Sequence, residues 1–172
     1  MSEYGIGLGS NLGDRCGHLI AALDALAALD GVAIKRTSRV FATPPWGIEN
    51  QPEFFNACAL LEASLSPEVL LSGCKAIETG LGRTPAPRWG PRLIDIDLLF
   101  CDDLAVSSPD LALPHPGLFE RPFVLIPLMD IMAGRSVAGR DLASALERLQ
   151  GTKAAQQVRV DFEATQRMAA RV

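Results

Sequence analysis

Apolar positions along the chain follow two different periods. Tyr4–Ser10 is short and broken by glycine, as a strand can be. Asp14 can then cap a helix in which Leu19, Leu23 and Leu26 recur at helical spacing, with Gly31 as its stop. Val32–Phe41 is rich in β-branched residues and predicts a strand. Thr43-Pro44-Pro45-Trp46-Gly47 cannot continue a ladder and is expected as a loop. Phe54–Ala63 is apolar on both faces, which predicts a strand covered from both sides.

Ser66-Pro67-Glu68 is a helix start, with a capping hydroxyl, a proline at the first helical position and an acid in the first turn. Leu70, Cys74, Ile77 and Leu81 give that helix its stripe, and Gly80 and Gly82 end it. Arg83–Pro91 is a proline-rich loop. Leu93–Phe100 is a strand and Leu113-Pro114-His115-Pro116 a rigid loop. Phe123–Met132 and Asp141–Leu149 are expected as short helices. The order predicts an α+β fold, a ferredoxin-like βαββαβ sandwich on an antiparallel sheet with a mostly helical C-terminal tail.

Composition narrows the function classes. The chain has 172 residues, 16 basic and 20 acidic, with a net charge of -4. One domain spanning 1–172 is the expectation at this length, without a fused neighbour. A mildly acidic chain has no general attraction for nucleic acid or an anionic membrane. No apolar run reaches the ~20 residues a membrane span needs. The N-terminus lacks the features of a signal peptide. The four cysteines are scattered and form no zinc pattern with the two histidines, which fits a reducing, cytoplasmic setting.

The chemistry concentrates in Arg88-Trp89-Gly90-Pro91-Arg92-Leu93-Ile94-Asp95-Ile96-Asp97. Residues two apart on a strand share a face, so Asp95 and Asp97 project together, roughly 7 Å apart. Ile94, Ile96, Leu98 and Phe100 are expected on the opposite face, in the core. Adjacent carboxylates repel unless a cation lies between them, and hard oxygen ligands suit Mg²⁺ completed by phosphates. Arg83, Arg88, Arg92 and Arg121 supply guanidiniums shaped for phosphate oxygens. The plainer alternatives are a solvated strand face and local salt bridges. A second cluster runs from Thr43 and Pro44 to Gln51, Phe54 and Asn56. A stiff loop, an amide and a ring can read the edge and face of a planar heterocycle. No phosphate-binding glycine motif is present; Gly5, Gly7 and Gly9 alternate without forming one.

Taken together, these strings resemble the 6-hydroxymethyl-7,8-dihydropterin pyrophosphokinases of folate biosynthesis. The matching pieces are Gly9-Ser10-Asn11-Leu12-Gly13, Thr43-Pro44-Pro45, Gln51-Pro52, Asn56, the Arg88–Asp97 string and Leu113-Pro114-His115-Pro116, in family order over about 4–133. The resemblance implies transfer of pyrophosphate from ATP to the pterin hydroxymethyl group, leaving AMP. It implies two Mg²⁺ on Asp95 and Asp97, and Arg83 and Arg92 as catalytic arginines. It implies a pterin between Phe54 and Phe123, with Asn56 and the Thr43–Trp46 backbone reading its edge. Glu78, Arg88, Trp89, Arg92, Leu98, His115 and Arg121 match nucleotide-side positions. The expected partners are the two small-molecule substrates, bound by a monomer.

Two features depart from the family pattern. Pro85 stands where a second arginine is common, in a loop about one residue shorter, and Trp46 is bulky for the pterin side. A nucleotide-sugar transferase and a non-catalytic binding module remain as rivals. Neither gives the Thr-Pro-Pro…Asn cluster and the arginine-flanked acids a joint role.

Overall fold

The computed structural model describes residues 1–87 and 90–171. Its elements in order are β1 (Ser2–Ser10), α1 (Arg15–Ala27), β2 (Val32–Thr37), β3 (Phe41–Thr43), β4 (Phe54–Ala63), α2 (Pro67–Gly80) and β5 (Asp95–Cys101). A hairpin of β6 (Val106–Ser107) and β7 (Ala112–Leu113) follows, then α3 (Pro122–Met132). A second hairpin, β8 (Ser136–Val137) with β9 (Arg140–Asp141), leads to α4 (Leu142–Gln150), α5 (Lys153–Gln156), β10 (Arg159–Val160) and α6 (Phe162–Ala169).

The main sheet runs β10-β3-β4-β1-β5, with β2 also paired to β4, and its pairings are antiparallel. Taking β2 and β3 as one bent strand, this is the expected ferredoxin-like order. Asp14 caps α1 by accepting from the Gly17 N–H (3.0 Å), and Ser66 caps α2, as their positions predict.

Two details differ from the sequence expectation, both through extra residues in a strand. Val32–Phe41 is not one strand. Thr37 opposes Ala59 while Phe41 opposes Asn56, so this stretch carries one residue more than its partner, beyond the one already inserted between Ile34 and Arg36. Ser38 takes up the slack: its Oγ accepts from the Cys58 N–H (2.8 Å) and its N–H donates to the Cys58 carbonyl (2.8 Å). On β5, Gly5 opposes Phe100 but Ile6 opposes Leu98. Leu99 is the inserted residue, and it turns Phe100 to the face opposite Leu98. Ile94, Ile96 and Leu98 keep the predicted face; Phe100 does not.

The sheet therefore separates two cores. Tyr4, Ile6, Leu8, Leu61, Ile94, Ile96 and Leu98 pack with α1, α2 and α6. Cys58, Leu60, Leu99 and Phe100 pack with α3 and α4. On this second face β1 presents Gly5, Gly7 and Gly9. The Phe100 ring lies on Gly5, where a Cβ would come within 2.1 Å of it. Beyond that ring the face is uncovered, and there the site forms. The tail is mostly helical, as expected, but it also contributes β10 to the sheet edge.

Candidate active site

A cavity of about 220 Å³ opens at the uncovered end of the sheet. Its floor is β1 at Gly7 and Gly9, backbone without side chains. Alternating glycines in a strand strip one face of side chains and let a flat ligand approach the backbone. This period-two signal is visible in the sequence, but a search for phosphate loops passes over it.

One wall is apolar and amide-bearing. Thr43 and Pro44 at the end of β3, Phe54 and Asn56 at the start of β4, and Phe123 at the start of α3 line it. The Asn56 Nδ2 donates to Thr43 Oγ1 (2.7 Å), which fixes the amide plane. Both are buried, at 8% and 2% exposure. Trp46 also lines the cavity and packs against Phe123, with ring centroids 5.7 Å apart and planes tilted by 57°. Its bulk is accommodated at the mouth, where it stays partly exposed.

The other wall is ionic, made by Arg92, Asp95, Asp97, His115 and Arg121. Asp95 Oδ2 accepts from Arg92 (2.7 Å) and Asp95 Oδ1 from Arg83 (2.7 Å). Burial pushes the Asp95 carboxyl up, but the two guanidiniums outweigh it and hold it below the ordinary range. Asp97 has no ion-pair partner among the described residues. Burial, helped by the charge of Asp95, pushes it up to about 6. The donor set thus fits a divalent cation: two carboxylates on one face, one of them without an ion pair among the described residues. Among the described residues no three His, Cys, Asp or Glu side chains cluster to hold a metal alone. Two suffice for Mg²⁺ when phosphate and water oxygens complete the shell.

His115 is held as a defined donor. Its Nδ1 accepts from the Gly117 N–H (3.0 Å), so a neutral ring carries its proton on Nε2. Burial, then the charge of Arg121, lowers its pKa and favours that neutral form.

Three predicted residues stand behind the cavity wall. Arg83 reaches Asp95 and also Glu78 (2.7 Å). Glu78 is 3% exposed and accepts the Ile96 N–H through Oε1 (2.7 Å), joining α2 to the edge of β5. Burial raises its pKa. Leu98 is buried in the α1–α2 core and faces away from the cavity. Arg88 and Trp89 lie outside the described residues.

A family model described as 7,8-dihydro-6-hydroxymethylpterin-pyrophosphokinase matches residues 5–133. A 2-amino-4-hydroxy-6-hydroxymethyldihydropteridine pyrophosphokinase of Methylorubrum extorquens is 42% identical over 149 residues, covering 87% of this chain and 94% of that protein. A protein of the same name from Bacillus subtilis is 40% identical over 126 residues, 73% of this chain and 75% of that one. The mitochondrial folate synthesis bifunctional protein of Pisum sativum is 40% identical over 142 residues, and there the match spans only 27% of the relative. Among solved structures, an HPPK-DHPS in complex with substrates superposes with a TM-score of 0.72 at 13% identity, over 92% of this chain and 46% of that one. This last likeness speaks for the fold.

Proposed function

The chain belongs to the 7,8-dihydro-6-hydroxymethylpterin-pyrophosphokinase family, and from that premise we propose how its residues divide the transfer of pyrophosphate from ATP to 6-hydroxymethyl-7,8-dihydropterin. The observation that carries the division is the cavity itself. One wall offers rings and an amide, the other guanidiniums and carboxylates, and both close on a glycine floor.

The pterin stacks between Phe54 and Phe123, with Trp46 extending the Phe123 side. Asn56 reads its edge, aided by backbone groups of the Thr43–Trp46 loop. The polyphosphate lies along Arg92, His115 and Arg121. Asp95 and Asp97 would hold the Mg²⁺ ions, which supply charge neutralisation and a template for the phosphates. The pterin hydroxymethyl oxygen attacks the β-phosphorus. An oxygen–phosphorus bond forms, and the bond from the β-phosphorus to the α–β bridging oxygen breaks. AMP leaves with that electron pair, and the hydroxyl proton is released. Arg92 and Arg83 hold Asp95 ionised, and Arg92, which lines the cavity, opposes the charge on the transferred group. Neutral His115 donates from Nε2 and does not need to change protonation. Glu78 acts through Arg83 and β5.

The test is AMP formation from ATP and Mg²⁺, with and without the pterin. Pterin-dependent AMP without free phosphate is the expected product. ADP in its place would reduce the reading to ordinary kinase chemistry. Asp97→Ala is expected to abolish turnover while leaving the fold intact by circular dichroism. Near-normal activity in that variant would overturn the assignment of the carboxylates.

A further inference from the structure

In the strand-to-helix turn Gly9-Ser10-Asn11-Leu12-Gly13, Gly9 belongs to the cavity floor, but Asn11 has no part in the chemistry above. Yet Asn11 is 1% exposed, and its carboxamide is spent on two separate segments. Its Nδ2 donates to Gln51 Oε1 (3.0 Å) and to the Pro52 carbonyl (3.0 Å). Its Oδ1 accepts the Arg92 N–H (2.8 Å), and its own N–H donates to the Arg92 carbonyl (3.1 Å).

Each segment carries one half of the site. Gln51 and Pro52 lead directly into Phe54 and Asn56, the aromatic and amide wall. Gln51 is braced in turn by donating from Nε2 to the Ile48 carbonyl (2.7 Å). Arg92 is the entry to β5 and places its guanidinium 2.7 Å from Asp95. Asn11 itself does not line the cavity.

We propose that Asn11 is a positioning residue: its buried carboxamide sets the separation between the pterin wall and the arginine–carboxylate wall. The proposal rests on the division of the cavity given above. In-line transfer needs the attacking oxygen roughly 3–3.5 Å from the phosphorus, and about 1 Å of misplacement can cost on the order of a hundredfold. Both walls begin in loops, the segments of a fold that open most readily. A single planar amide bonded to both loops removes their relative freedom. An ordinary brace would lower stability alone; a positioning group also changes how kcat and KM divide.

Two variants separate these roles. Asn11→Asp keeps the acceptor for the Arg92 N–H but turns an oxygen toward the Pro52 carbonyl, so only the pterin arm breaks. Asn11→Ala breaks both arms. The measurements are pterin affinity by calorimetry without ATP, KM for each substrate, kcat, and amide exchange at 48–56 and 92–95. For Asn11→Asp, pterin affinity is expected to weaken about tenfold, the effect of one or two lost hydrogen bonds. The KM for ATP should stay within about twofold, with faster exchange confined to 48–56. For Asn11→Ala, kcat is expected to fall about a hundredfold, beyond any loss in binding either substrate alone. Equal changes for both substrates in Asn11→Asp would overturn the proposal, even if the alanine variant does not fold. So would unchanged kinetics in both variants with only a lower Tm. Absence of pterin-dependent AMP from the wild-type chain would remove the functional reading on which it rests, a result distinguishable from these.

Discussion

At the scale of single residues, the site depends as much on missing side chains as on present ones. The carboxylate pair, the flanking arginines and the Thr43…Asn56 cluster were legible, because ionic chemistry leaves dense signatures in a sequence. Gly9 is marked by the alternation with Gly5 and Gly7, but its role as a floor is not, because a glycine announces an absence. A Cβ at Gly9 would stand 2.9 Å from Asn56 Oδ1 and 3.7 Å from the Phe54 ring. Gly9→Ala must therefore move the amide that Thr43 holds in place. We expect pterin affinity to drop by about tenfold, equivalent to about 1.4 kcal/mol, with little change in the KM for ATP. Calorimetry with the pterin alone checks this, and unchanged affinity would mean that the floor does not touch the ligand. Leu98 illustrates the opposite case. Its position in the motif suggests a nucleotide-side role, but the pleat turns its side chain into the other core, so any contact there falls to its backbone.

At the scale of elements, β1, α1, β4 and α2 were readable because hydrophobic period and capping residues agree. Two things were not. The inserted residues at Ser38 and Leu99 leave no mark in periodicity, since a bulge resets the alternation without interrupting the apolar run. The two-residue strands in the second half are too short to show any period. Among them β10 matters most. It pairs with β3, the strand that ends at Thr43 on the pterin wall. The helix that follows it is locked to the same place: Thr165 Oγ1 accepts the N–H of Val40, a fully buried residue (3.0 Å), and donates to the Asp161 carbonyl (2.7 Å). Thr165→Val keeps the shape and strands the Val40 N–H. Stability should fall by about 1–3 kcal/mol, read as a lower urea midpoint at unchanged slope, and Thr165→Ser should recover most of it. A midpoint unchanged within error would show that the tail lies on the sheet edge without holding it.

At the scale of the whole molecule, ion pairs join segments far apart in sequence, and no local pattern foretells them. Arg167 binds Asp14, the cap of α1, and Arg39 binds Asp130 of α3 through several contacts down to 2.6 Å. The Arg167 hydrogen bonds, with the Gly17 N–H, pull Asp14 down to about 2. At Asp130 burial acts upward, but the bonds and charge of Arg39 outweigh it and the carboxyl titrates below its usual value. The sign follows from linkage. A carboxyl whose folded pKa lies below its unfolded value binds fewer protons when folded. Its contribution is fully present above the unfolded value, about 3.9, and is lost as pH falls through the lower folded value. The protein should therefore hold its Tm at neutral pH and lose it below about pH 4. Asp130→Asn cannot take part in that loss. It should melt lower than the wild type at pH 7 and descend less steeply in acid, so that the two curves converge toward pH 2. Parallel curves, offset by the same amount at every pH, would mean that the substitution acts through packing at α3 and not through the charge that binds this helix to the strand connection beneath it.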